Sequence, residues 1–246
     1  MEFGKRTDTG LVRRLNEDNC MVNNDGDVQF IIVADGMGGH NAGEVASEIA
    51  ITVVADAFKN KQTVTIQQIR EAVEAANSSV YRRALSDMSC NGMGTTIVLA
   101  VLTPIGLVIA NVGDSRAYYF DSSKEKLTKI SIDHSLVEEL LSVGKLTPEE
   151  VEKYPYKNVI TRAIGTSPTV KTDIFDIEWY KEDVILLCSD GLTLHVDEKT
   201  IERQLSEKMS VQQMCDKLVD LALKGGGRDN ISVAIARNIA GGERDE

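Results

Sequence analysis

The chain has 246 residues, 42% of them apolar and 26% charged, an ordinary balance for a globular protein able to bury a substantial core. Its net charge of −11 argues against nucleic acid or an anionic membrane as the main partner, because either would be repelled over most of the surface. Cys20, Cys90, Cys188 and Cys215 are widely separated, with no Cys-x-x-Cys pair, so they read as core thiols of a reducing compartment rather than disulfides or a zinc site.

Met1 to Asp8 contain no apolar stretch of the kind an export signal needs, and a cytoplasmic protein is expected. Residues 1 to 27 suggest a short edge strand and a polar loop holding Arg13-Arg14-Leu15-Asn16-Glu17-Asp18-Asn19. Gln29 to Ala34 is almost wholly apolar and β-branched, the pattern of a strand covered on both faces, and Asp35 is expected where it stops. Gly36, Gly38, Gly39 and Gly43 crowd the following turn, with His40 among them. Helical spacing then runs from Val45 to about Lys59, and a second amphipathic helix is marked by Ile66, Ile69, Val73, Ala76, Val80 and Ala84.

Thr95 to Leu102 and Ile105 to Val112 read as a hairpin turned by Thr103-Pro104-Ile105-Gly106, which rules out a membrane span there. Gly113-Asp114 leads into a further strand, Ser115 to Phe120. From Asp133 to about Tyr180 the chain is polar with short helical signals. Thr147-Pro148-Glu149-Glu150 carries three helix-start cues, and Gly144 stops the helix before it. This stretch lacks the apolar content for its own core and reads as an insertion on a single domain spanning residues 1–246. Val184 to Cys188 is another buried strand, ending in Ser189-Asp190-Gly191. Helices near Glu198 to Leu205 and from Val211 to Lys224 follow, then Asp229-Asn230 and the last strand, Ile231 to Ala236. The order of elements fits an α+β fold of antiparallel sheets with helices segregated to the outer faces.

An Asp followed by Gly at a strand end is ordinarily only a turn. Here Asp35, Asp114, Asp190 and Asp229 each stand in or beside a Gly-rich turn at the end of a core strand. If those ends converge, the carboxylates repel one another unless their pKa values shift or cations bind. An all-oxygen set suits Mg²⁺ or Mn²⁺ rather than zinc. Four unrelated turns are the alternative.

Ordered motifs along the whole chain carry a resemblance: Arg13-x-x-Asn16-Glu17-Asp18, Asp35-Gly36-Met37-Gly38-Gly39-His40, Gly92-Met93-Gly94-Thr95-Thr96, Gly113-Asp114-Ser115-Arg116-Ala117, Asp133-His134-Ser135-Leu136, Ile160-Thr161-Arg162-Ala163-Ile164-Gly165, Ser189-Asp190-Gly191-Leu192 and Asp229-Asn230-x-Ser232. The sequence resembles the PPM-type (type 2C) metal-dependent protein serine/threonine phosphatases, in their short bacterial form. The resemblance implies a four-layer αββα sandwich, two central antiparallel sheets flanked by helix pairs, with residues from about 133 to 180 as a flap. It implies two Mn²⁺ or Mg²⁺ ions, with a third at a weaker site. Asp35 would bridge both ions, Gly36 would lend its carbonyl to one, and Asp190 and Asp229 would ligate the other. Glu17 and Asp18 would hold metal-bound waters, and Asp114 resembles the ligand of the third ion.

The same resemblance makes Arg13 the residue that grips the phosphate and His40 the general acid. A hydroxide bridging the ions would attack phosphorus directly, and His40 would protonate the departing serine or threonine oxygen. His134 and His195 are expected to be structural. The partners implied are phosphoproteins, opposite a serine/threonine kinase, and the protein is expected to be a monomer. Two positions depart from the family pattern: Leu194, where Asn is common, and Tyr154 before Pro155, where His is frequent. A catalytically silent member that only binds phosphoproteins is one alternative. A haloacid-dehalogenase-type phosphatase is another, but Met37 stands where that chemistry needs a second Asp.

Overall fold

The computed structural model describes residues 1–38, 42–103, 106–151, 154–156 and 158–240. In chain order the elements are β1 (Glu2–Asp8), β2 (Asp18–Asn23), β3 (Phe30–Met37), α1 (Gly43–Phe58), α2 (Ile66–Ser86), β4 (Gly94–Thr95), β5 (Ile97–Thr103) and β6 (Gly106–Val112). They continue with β7 (Arg116–Asp121), β8 (Lys126–Lys129), α3 (Leu136–Ser142), α4 (Pro148–Val151), β9 (Asp173–Ile177), β10 (Val184–Cys188), α5 (Asp190–Thr193), α6 (Glu198–Ser206), α7 (Val211–Lys224) and β11 (Ile231–Arg237). One antiparallel sheet runs β1-β11-β10-β7-β8. The other runs β2-β3-β5-β6-β9, with β4 beside β3.

Three apolar layers define four layers of structure. Alternate residues of β3 divide between two of them: Ile31 and Val33 point between the sheets, where they meet Val98, Ile109, Ile185, Leu187 and Ala234. Phe30, Ile32 and Ala34 point the other way, onto Ala46, Ala50 and Val54 of α1 and Ile69, Val73 and Val80 of α2. This is why β3 is apolar without a break: each of its faces is an interior. The third layer packs Leu186, Cys188, Val233 and Ile235 against Ile201 and Leu205 of α6 and Met214 and Leu218 of α7. The order α1/α2, sheet, sheet, α6/α7 is the expected αββα sandwich. All four cysteines are buried and free. Among the described residues, no helix is long and apolar enough to cross a membrane.

Several local expectations need correction. Asp35 does not end its strand, because β3 runs on to Met37 by pairing Gly36 with Thr95 and Met37 with Gly94. Strand β2 was hidden in the polar loop and β8 in a stretch of lysines and threonine. Strand β9 lies inside the range expected to be insertion, where Asp173 pairs with Asn111 and Ile177 with Leu107. Ile66 was placed on the buried face of α2. It is instead 40% exposed, standing at the first helical position. That helix starts with a capping box in which Gln68 N–H donates to Thr65 Oγ1 and Thr65 N–H to Gln68 Oε1. The hairpin of β5 and β6 forms as expected, while the Pro104-Ile105 turn lies outside the described residues.

Helices α3 and α4 bury no residue completely, in keeping with the low apolar content of their stretch. Ser135 caps α3 by accepting from Glu138 N–H, and Thr147 N–H donates to Glu150 Oε2 at the start of α4. The chain is tied back beyond this stretch by Asn77, a polar residue on the buried face of α2. Its Oδ1 accepts from Gly165 N–H at 2.8 Å and its Nδ2 donates to the Ser167 carbonyl at 3.0 Å. A buried amide left without a partner costs about 1–3 kcal/mol, a penalty that Asn77 removes from Gly165.

Candidate metal centre

Asp35 near the end of β3, Asp114 just past β6, Asp190 just past β10 and Asp229 just before β11 come together at one edge of the sandwich, where their charges interact. Asp35 and Asp114 belong to one sheet and Asp190 and Asp229 to the other, so the acidic edge exists only because the two sheets pack. β2 adds a fifth carboxylate, since Asp18 stands directly opposite Asp35 in register.

Backbone hydrogen bonds hold this edge rigid. Asp35 N–H donates to Thr96 Oγ1 and the Asp35 carbonyl accepts from Thr96 N–H, both at 2.9 Å. Gly36 N–H donates to the Glu17 carbonyl at 3.2 Å. A Cβ on Gly36 would fall 2.1 Å from the Gly43 carbonyl oxygen and 2.5 Å from that of Glu17, so no other residue fits between them. Ser189 stands just before α5, and its side chain bridges the sheets instead of capping the helix. It accepts from Ser232 N–H at 2.9 Å and donates to Asp18 Oδ2 at 2.7 Å. Asn230 Oδ1 accepts from Glu17 N–H, while its Nδ2 donates to the Thr9 and Leu15 carbonyls.

The electrostatics follow from this crowding. Burial, then the charges of Asp18, Asp190, Asp114 and Asp229, drive the Asp35 carboxyl well above the usual range. Burial also raises Asp18 to about 7, against hydrogen bonds from serine and with added repulsion from Asp190 and Asp229. Asp114 is likewise raised to about 7 by burial and then by Asp190 and Asp133. Asp190 is raised by burial and by Asp229, and Glu17 mainly by burial. Asp18 Oδ1 and Asp114 Oδ1 are buried with no hydrogen-bond partner among the described residues. Orphaned carboxylate oxygens on a self-repelling edge are what a hard divalent cation would satisfy.

Among the described residues, no three His, Cys, Asp or Glu side chains are drawn together closely enough to hold a metal ion without further ligands. Such a set fits an ion whose shell is completed by water and a backbone carbonyl, as Mg²⁺ prefers. The only described cation that touches a ligand candidate directly is Arg13, whose Nη2 lies 2.8 Å from Asp229 Oδ2. Its side chain is 49% exposed at the edge of the site. His40 lies outside the described residues.

A cavity of about 230 Å³ opens beside Asp190 and Asp114, walled by Arg116, Asp133, Val137 and Leu194. Leu194 is 52% exposed there, so its departure from Asn changes the wall of this cavity. A larger cavity of about 470 Å³ lies at the far end of β3, near Asn23 and Lys59, and holds none of the candidate residues. Tyr154 packs edge-on against Tyr156, their ring centres 6.0 Å apart. His134 and His195 each accept a backbone N–H, from Gly113 and Arg228 respectively.

Sequence reasoning missed Thr96, Ser189 and Asn230 as the parts that fix the carboxylates. The signal was present, because each adjoins or lies within a motif already singled out, but a small neutral side chain announces no charge.

The family described as Protein phosphatase 2C matches residues 12–226. The chain is 42% identical to the serine/threonine phosphatase stp of Listeria welshimeri over 98% of its own length and 97% of the relative's. Its structure is similar to that of the Mycobacterium tuberculosis serine/threonine phosphatase PstP/Ppp, with a TM-score of 0.88, 34% identity and coverage of 97% of this chain and 98% of that one. A second similar structure, the catalytic domain of PstP in complex with 2 manganese ions, gives a TM-score of 0.83 at 33% identity, covering 96% of each chain.

Proposed function

Because the chain belongs to the protein phosphatase 2C family and is a metal-dependent protein serine/threonine phosphatase, we propose that its acidic edge is the active site. The observation that carries this reading is the gathering of Asp18, Asp35, Asp114, Asp190 and Asp229 at one edge, with buried oxygens of Asp18 and Asp114 left unpartnered. Asp35 would hold two ions jointly, the Gly36 carbonyl one of them, and Asp190 and Asp229 the other. Glu17 and Asp18 would orient their waters, and Asp114 would hold a third ion more weakly. When bound, the ions supply an acidified water as nucleophile and neutralise the phosphoryl oxygens.

The chain's own residues supply the rest. Arg13, half exposed and anchored on Asp229, would present its remaining N–H groups to the phosphate in a planar fork. His40, a few residues from Asp35 in sequence, would hand a proton to the departing serine or threonine oxygen. Phosphoproteins are the substrates, and in the cell the enzyme would act as a cytoplasmic monomer opposing a serine/threonine kinase.

Turnover of a phosphothreonine peptide tests the reading. Chelation is expected to reduce hydrolysis to background and Mn²⁺ or Mg²⁺ to restore it, with zinc a poor substitute. Full activity after exhaustive chelation would refute the reading, and phosphopeptide binding without turnover would make the protein a binding module.

The part of the Asp133 to Tyr180 stretch that carries α3 and α4, ahead of the sheet strand β9, would serve as a flap that contacts substrate protein beyond the phosphate. The surface position of α3 and α4 beside the cavity supports this. Exchanging residues 136–158 for another member's segment is expected to change discrimination among phosphopeptides while sparing an aryl phosphate. Equal loss of both activities would make the segment part of the catalytic framework.

A further inference from the structure

We propose that His134 is a positioning residue for Asp114, itself held by Asp173 and Arg162. This rests on the reading of Asp114 as the ligand of a weaker metal ion.

Gly113 adopts φ +114°, and a Cβ there would fall 2.5 Å from Thr96 Cγ2, so the turn before Asp114 is fixed by sterics on one side. On the other side His134 engages both polar backbone groups of Gly113, and Asn111 Nδ2 adds a second donor to the carbonyl at 3.3 Å. The N–H donates to His134 Nδ1 at 2.9 Å, and the carbonyl accepts from His134 N–H at 3.0 Å. Since Nδ1 accepts, the neutral ring carries its proton on Nε2, which faces Asp173 Oδ2 at 3.0 Å. Arg162 Nη1 donates to the other oxygen of Asp173 at 2.9 Å; beside a protonated Nε2 it makes no hydrogen bond to the ring, and so supports it only through Asp173. Burial, helped by the Arg162 charge, holds the imidazole below its usual range and so keeps it neutral.

Asp114 follows Gly113 directly, and its buried Oδ1 has no partner to orient it. Its position therefore depends on the Gly113 turn, whose N–H is held by the His134 ring and whose carbonyl is held by the His134 backbone and by Asn111 Nδ2. Thr161 N–H donates to the His134 carbonyl, so both ends of the stretch that carries α3 and α4 meet at the His134 backbone. Asp173 lies in β9, which makes the edge strand the outer support of the same clamp.

Two substitutions divide the ring's roles. H134N keeps an acceptor at the place of Nδ1 and gives up Asp173. H134Q reaches toward Asp173 and leaves Gly113 N–H without an acceptor. Calorimetric titration with Mn²⁺ is expected to show the weakest site weakened about 10- to 100-fold by H134Q and little changed by H134N. In a D114N background H134Q should cause no further loss, because both changes act on one ligand. Thermal melting in chelator monitors folding, and should H134Q fail to fold, H134A, which also leaves Gly113 N–H without an acceptor, carries the same comparison. Equal weakening by H134N and H134Q, or losses that add in the D114N background, would overturn the inference. A D114N protein whose Mn²⁺ sites are all unchanged would overturn the reading of Asp114, and this inference with it.

Discussion

Asp35→Asn is expected to abolish turnover and at the same time make the metal-free protein more stable. The two effects have one cause. Asp35 is half-buried among four other carboxylates, and its ionisation is opposed first by desolvation and then by their charges. Asparagine keeps the shape and removes the charge. Relief of an uncompensated buried charge is worth up to about 3–5 kcal/mol, less whatever the new amide fails to pair. In a chain of this length each kilocalorie moves the melting temperature by about 2–4 °C. Loss of the bridging ligand should cost several kcal/mol of transition-state stabilisation, about 10³-fold in rate or more.

The pH dependence of the metal-free enzyme follows from the same groups. Asp18 and Asp114 have folded-state values raised to about 7, above the unfolded value near 4. Between those limits the folded state binds more protons than the unfolded one, so stability falls as pH rises. Their contribution is complete below about pH 4 and lost as the pH passes about 7. Urea melts in chelator at pH 5 and pH 7.5 should therefore differ widely for the natural protein and less for Asp35→Asn. Addition of Mn²⁺ should stabilise only the former at pH 7.5. A variant that kept both turnover and Mn²⁺-induced stabilisation would remove Asp35 from the metal centre.

His40→Ala is expected to separate two substrates. Serine alkoxide is a very poor leaving group and needs a proton in the transition state, whereas nitrophenolate departs as the anion. Loss of a general acid costs about 10² to 10⁴ in rate where the proton is needed. Hydrolysis of a phosphoserine peptide should fall by that factor, p-nitrophenyl phosphate hydrolysis much less, and Mn²⁺ affinity little. An equal loss on both substrates would make His40 a residue that positions the ions or the nucleophile. A negligible loss on the peptide would return it to a structural role.

Much of this protein is legible one segment at a time. Phe30 to Ala34 and Val184 to Cys188 can only be strands with two buried faces, because no solvent-facing residue interrupts them. Ile69, Val73, Ala76 and Val80 recur at helical spacing and do face the core. The turns at Asp35, Asp114, Asp190 and Asp229 are visible as Gly beside Asp, and their residue types alone point to a hard cation. Strands β2, β8 and β9 are different. Asp18–Asn23, Lys126–Lys129 and Asp173–Ile177 bury only part of their side chains, so no apolar run marks them, and pairing with a neighbour is what makes them strands. All three are edge strands, β8 of one sheet and β2 and β9 of the other, where polar sequence guards against unwanted pairing.

The sequence by itself therefore determined the buried strands, the helices and the chemistry of the acidic turns, because burial periodicity and turn preference act within a few residues. Only the tertiary structure decided that Asp35 and Asp114 share an edge with Asp190 and Asp229, that Asp18 stands opposite Asp35, and that His134 grips Gly113. Those meetings depend on which strands pair and how two sheets stack, and the contacts at this edge join residues far apart in sequence, Ser189 with Asp18 across 171 positions and Arg13 with Asp229 across 216.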